Sequence, residues 1–156
     1  MTHPEPHPPT RKNDLDRVRE FFRANHYQFN ETDSEYSLIT AFSGITFEIR
    51  YTEPNIALVS TVAVDAITGG RFENVLEWVE RYNNAHAFPS TVALKDDKRD
   101  LTAFGATYVL PGLWQYTDEQ FADWMGSGIH GIVDAVTTYL EEFSPEALAQ
   151  LRQPAP

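Results

Sequence analysis

Six residues in the last third of the chain, Gly126-Ser127-Gly128-Ile129-His130-Gly131, have the spacing G-x-G-x-x-G. Where that spacing binds a dinucleotide, it lies on a turn after a strand, and the missing side chains let pyrophosphate approach a helix N-terminus. Here the residues before it, Thr117 to Met125, read as a capped helix, so the glycines fall inside a helix. Each interior glycine costs about 1 kcal/mol relative to alanine. Three of them point to close approach of this helix to a sheet or a second subunit, or to a local kink, and no nucleotide cofactor is expected.

His130 and Asp134 are four residues apart and share a helix face. Such a pair can act as half of a metal site or as an acid–base couple, but it is more commonly a solvated surface pair. His26 and His86 are the other histidines of the folded region, and nothing in the sequence brings the three together. His3 and His7 lie in a proline-rich stretch that reads as tail. No metal site is expected. The serines lack the G-x-S-x-G setting of an exposed nucleophile. Thr68-Gly69-Gly70-Arg71 lacks the Gly-Lys-Ser/Thr ending of a phosphate loop. The carboxylates fall mainly on outer helix faces and turns, so no catalytic residue is expected. Trp78, Trp114, Tyr116 and Trp124 sit at the margins of apolar stripes or in a loop. They are either core or a protein-contact surface, where Trp and Tyr are enriched.

The elements that must position these residues follow from periodicity. Four prolines between residues 4 and 9 exclude a helix. Residues 1–12 are therefore expected to be a disordered Pro/His-rich tail, 13–152 a single domain, and 153–156 a frayed C-terminus. Asn13 or Asp14 can cap a first helix that carries Leu15, Val18, Phe21 and Phe22 on one face and ends at Asn25-His26. Four strands follow, the first opening at Tyr27 and Phe29. Ser43-Gly44 marks a tight hairpin. Ile45, Phe47, Ile49 and Tyr51 alternate with Thr46, Glu48 and Arg50, the pattern of a strand with one buried and one wet face. Ile56 to Val64 is apolar on both sides and belongs inside the sheet. A second helix over about 71–85 buries Phe72, Val75, Leu76, Val79 and Tyr82. Two more strands, Thr91–Leu94 and Leu101–Leu110, flank a charged turn. Thr117 to Gln120 fits a reciprocal capping box and opens a helix that runs to about Phe143. Ser144-Pro145 starts a short last helix. The order α-β-β-β-β-α-β-β-α describes an α+β fold, a mostly antiparallel sheet with helices packed on one face.

Composition bounds the function. The 156 residues suit one domain with its own core. Twelve Lys and Arg against 23 Asp and Glu give a net charge of −11, which repels phosphate backbones and argues against direct nucleic-acid or anionic-membrane binding. The absence of cysteine excludes disulfide and thiolate chemistry and fits a cytoplasmic location. No apolar run approaches the roughly 20 residues of a membrane span.

The segment from Leu15 to Phe143 resembles the YbjN-domain family, bacterial proteins often labelled sensory transduction regulators. The likeness rests on Val18-Arg19-Glu20-Phe21-Phe22, the strand pair Tyr36–Phe42 and Ile45–Arg50, Val79-Glu80-Arg81-Tyr82-Asn83-Asn84 before Thr91-Val92-Ala93-Leu94, and Thr117-Asp118-Glu119-Gln120-Phe121. It implies a fold like that of type III secretion chaperones, small acidic proteins that commonly dimerise and bind extended segments of partners. The family's Asn at the end of the second helix matches Asn83, whose simplest role is a helix C-cap. Relatives often have a glycine where this chain has Lys95 to Asp100, which leaves the hairpin geometry there open. The expectation is a non-enzymatic protein-interaction module, chaperone-like or a regulatory adaptor. It would bind a protein or peptide segment and form a homodimer. The alternative is a small-ligand binder or enzyme using a cleft near His130, Asp134 and the Gly-rich helix.

Overall fold

The computed structural model describes residues 3–153. Asp14 caps α1 (Leu15–Ala24): its side chain accepts the Arg17 N–H at 2.8 Å. The helix stops at Asn25, and His26 turns the chain with φ 58°. The turn delays the first strand, so β1 (Phe29–Glu31) begins two residues after the expected Tyr27. β2 (Ser37–Phe42) and β3 (Ile45–Thr52) meet at Ser43-Gly44, whose φ values of 53° and 80° are those of a type I′ hairpin. β4 (Asn55–Val62) follows, then a single 3₁₀ turn at Gly69–Arg71 that leads into α2 (Phe72–Ala85). β5 (Ser90–Asp96) and β6 (Leu101–Leu110) form the second hairpin. Its turn closes without glycine because Asp100 takes the left-handed conformation at φ 53°, which Asp tolerates, and Asp96 accepts from Arg99 at 2.7 Å. α3 (Asp118–Phe143) opens on the capping box: Gln120 N–H donates to Thr117 Oγ1 at 3.1 Å, and Thr117 N–H donates to Gln120 Oε1 at 2.9 Å. α4 (Pro145–Leu151) has Ser144 as its cap.

The six strands form one antiparallel sheet in the order β1-β2-β3-β4-β6-β5. α2 carries the chain past the β6 position, so β5 lands on the outside and β6 returns between β4 and β5. β4 is interior, as its apolar run implied. Cross-strand pairing puts Leu38, Ile49, Leu58 and Tyr108 in one row, and Thr40, Phe47, Ser60 and Ala106 in the next. This face carries the core. Leu38, Phe47, Ile49, Leu58 and Phe104 are fully buried beneath α1, α2 and α3. Phe22 of α1 packs on Phe42, Trp78 of α2 packs on Phe104, and Gly128 of α3 lies against Leu58 and Tyr108.

The opposite face carries Glu48, Arg50, Val59, Thr107, Val109, Val92 and Leu94, and among the described residues no helix packs over them. Glu48 and Arg50 pair there at 2.7 Å, and the pairing holds the Glu48 carboxyl below its usual range.

The N-terminal boundary differs in detail from the one read in sequence. Residues 3–10 are exposed, but Arg11 forms an antiparallel bridge to Tyr116, with both backbone hydrogen bonds at 3.0 Å. Thr10 Oγ1 donates to Gln115 Oε1 at 3.2 Å. The first two residues and all but Gln153 of the expected frayed C-terminus lie outside the described residues.

Candidate interaction surface

The Gly-rich motif lies wholly inside α3, with no strand-to-helix turn before it. Its three glycines have different surroundings. A methyl group on Gly128 would run into the Tyr108 ring and Leu58, so this position lets the helix sit directly on β4 and β6. A methyl group on Gly131 would come within 3.1 Å of the Phe88 ring, whereas Gly126 has open space around it. The motif thus serves helix–sheet contact at Gly128, the packing role its helical context suggested.

His130 and Asp134 share α3 but have different neighbours. His130 is exposed and lines a shallow hollow of ≈ 310 Å³ with mainly apolar walls, including Phe21, Tyr27, Phe42 and Ile129. Asp134 faces α2 instead. Burial first, and the Asp134 carboxylate second, push the Tyr82 phenol up to about 12. His86 stacks on Tyr82 with ring centroids 3.8 Å apart, and its Nδ1 lies 3.0 Å from the Tyr82 carbonyl oxygen. His26 sits at the end of α1. Among the described residues, no three His, Cys, Asp or Glu side chains gather in a way that could hold a metal ion.

The four marginal aromatics separate into packed and free. Trp78 stacks on Tyr82 and meets Phe104, Tyr139 and Phe143 edge-on, so its ring completes the core between α2 and α3. Trp124 is half-buried against Tyr108 and Tyr116. Tyr116 donates its hydroxyl to the Pro111 carbonyl at 3.0 Å and pairs with Arg11. Trp114 alone stands out, 62% exposed beside Leu113 at 78%. Their loop is anchored at its base: Gly112 donates its N–H to Asn55 Oδ1 at 2.9 Å, and the Pro54 carbonyl leaves no room for a side chain at Gly112. Leu113 and Trp114 are therefore held out from a fixed support at the end of the sheet.

Two further features were not evident in sequence. Asn83 is not the C-cap of α2, since His86 takes that place. Its amide pairs with the β5 edge instead. Oδ1 accepts from Thr91 N–H and Thr91 Oγ1, and Nδ2 donates to the Thr91 carbonyl, all at 2.9 Å. Because antiparallel strands alternate which backbone groups face the neighbour, Thr91, Ala93 and Lys95 direct theirs away from β6. Asn83 satisfies the first of them and leaves the next two at the edge, beside exposed Val92 and Leu94.

The second feature is Arg17, only 1% exposed in the first turn of α1. Its guanidinium donates to the Arg11 carbonyl at 2.8 Å, the Tyr116 carbonyl at 2.8 Å and Asp118 Oδ1 at 3.0 Å, and it lies over the Phe121 ring. One buried cation thus ties together the N-terminal segment, the loop before α3 and the start of α3. In the sequence Arg17 resembles any helix-surface arginine. The only hint was its place one residue before Val18, on the margin of the buried stripe.

Comparison with known proteins bears on fold. No family model matches the sequence, and no curated protein matches it. Four solved chains match in structure. One is titled "Crystal structure of YbjN, a putative transcription regulator from E. coli". It superposes with a TM-score of 0.65 at 13% identity, over 80% of this chain and 89% of that one. The fold is YbjN-like. The neighbour is described as a regulator and not as an enzyme. Among the described residues, no helix is long and apolar enough to cross a membrane.

Proposed function

We propose that this chain is a non-enzymatic protein-interaction module, a chaperone-like or regulatory adaptor that works in the cytoplasm as a homodimer. The observation that carries this reading is the pair Leu113–Trp114, exposed on a loop whose base is pinned to the β3–β4 turn. A large apolar pair held away from the core gains most from burial against another polypeptide, and tryptophan is the residue most enriched at energetic centres of interfaces. The YbjN-like fold supports a regulatory role by analogy with a neighbour titled as a transcription regulator. A net charge of −11 favours regulation through protein contacts over direct binding to DNA. The free backbone groups of Ala93 and Lys95 offer a second point of contact, at which an extended partner segment adds to the sheet.

The test compares affinity capture from native lysate by the parent chain and by the double variant Leu113→Ser/Trp114→Ser. The expected result is a specific protein retained by the parent and lost by the variant, with unchanged circular dichroism and thermal midpoint. Identical capture by both would remove Trp114 from the interface. Light scattering that gives the monomer mass at all concentrations would remove the homodimer.

A further inference from the structure

The N-terminal segment is seated on the domain in the way an extended peptide is seated on a receptor. Arg11 makes a two-hydrogen-bond strand bridge to Tyr116, and Thr10 adds a side-chain bond to Gln115. The Arg11 carbonyl is gripped by buried Arg17. The Arg11 guanidinium lies between two carboxylates from different helices, paired with Glu20 of α1 and 3.5 Å from Asp118 of α3. Main-chain pairing supplies affinity in such arrangements, and the charged pocket supplies selectivity.

The seat is incompletely filled. A cavity of ≈ 360 Å³ remains beside Arg11, walled by Glu20 and Asp118 and floored by Phe21, Phe121 and Ala122. Arg17 lines the same cavity, and its Nε–H, fully buried, has no acceptor. An occupant larger than the chain's own segment would bury more of this floor and could bring that acceptor.

We propose that the groove between α1 and the start of α3 is a receptor for an extended, arginine-bearing segment of another protein. The chain's own Thr10-Arg11 holds this place until it is displaced. The inference rests on the reading of the chain as an interaction module but concerns a different surface. Capture through Trp114 can fail while this groove still binds, and the reverse also holds. The carboxylates select a cation, and the net negative charge of the whole chain draws one in at low salt.

The experiment empties the groove in the full chain. Arg11→Pro removes both the guanidinium and the N–H donated to Tyr116. A fluorescent peptide with the sequence of residues 3–12 is then titrated against both chains. The Arg11→Pro chain is expected to bind it saturably and at least about tenfold more tightly than the parent, whose tethered segment competes at high effective concentration. Exchanging the peptide's arginine for alanine, or introducing Glu20→Lys into the chain, is expected to abolish binding. A folded Arg11→Pro chain that binds no peptide, or binds the alanine peptide equally well, overturns the proposal. Hydrogen exchange on the parent covers the case in which the variant fails to fold. The Arg11 and Tyr116 amides should exchange by local opening, well before core amides. Exchange only with global unfolding makes the segment a permanent strap and also overturns the proposal. A concentration-dependent doubling of mass in the parent that Arg11→Pro abolishes would assign the groove to a second copy's arm, against the partner named here.

Discussion

The two faces of the sheet are built from the same strands and differ in what covers them. On one face Leu38, Phe47, Ile49, Leu58 and Phe104 are closed off by three helices. On the other, Val92, Leu94 and Val109 stay more than 40% exposed, and Glu48 pairs with Arg50. Alternation along a strand makes both faces possible. Helices make only one of them a core. Stability should therefore reside on the covered face, leaving the open face, the β5 edge and the Leu113–Trp114 loop free to vary or to bind.

The largest expected effect contrasts the two faces directly. Phe47→Ala on the covered face should lower unfolding free energy by about 3–5 kcal/mol, whereas Val109→Thr on the open face should change it by no more than about 0.5 kcal/mol. Urea unfolding of both variants measures the difference, and comparable losses would show that the open face is itself covered in solution. Next comes the brace between the helical layer and the sheet edge. Asn83→Ala leaves the Thr91 groups without their partners and should cost about 1–3 kcal/mol. Faster hydrogen exchange should be confined to β5. A uniform change across the domain would contradict the assignment of Asn83 to that edge.

The covered face also sets an alkaline limit. The Tyr82 phenol ionises near pH 10 in the unfolded chain and at about 12 in the folded one. Both states are neutral below pH 10, so this group's contribution is then fully present. As pH rises from 10 toward 12 the unfolded state ionises first, and the unfolding constant should grow by up to about tenfold per pH unit. Tyr82→Phe should flatten that slope. An unchanged slope would place the titration elsewhere. The smallest effect sharpens the view of the Gly-rich helix. Gly126→Ala, in open space, should stabilise by up to about 1 kcal/mol. Gly128→Ala should destabilise despite the same gain in helix propensity, because the Tyr108 ring and Leu58 occupy the place of the added methyl. Thermal midpoints moving in opposite directions would separate helix propensity from helix–sheet contact.

Much of this fold was legible in short-range chemistry. Period two in Ile45 to Tyr51, the Ser43-Gly44 turn, the Asp14 cap, the Thr117–Gln120 box and the Ser144-Pro145 start all depend on residues a few positions apart, and all form as their types require. The candidate surface was only partly legible. Four aromatics at stripe margins or in a loop were read alike, as core or contact surface, yet Trp78 is consumed by packing and Trp114 is left free. Asn83 looked like a cap and proved to be an edge brace. Arg17 looked like surface and proved to be a buried tie among three segments, with its bonding partners Tyr116 and Asp118 about a hundred residues away along the chain. Local spacing dictates which residues can share a helix face or a strand face, because the backbone repeats of 3.6 and 2 are properties of neighbours. Which face is covered, which aromatic stays in water and which cation is enclosed depend on segments distant along the chain, and only their meeting in three dimensions could decide them.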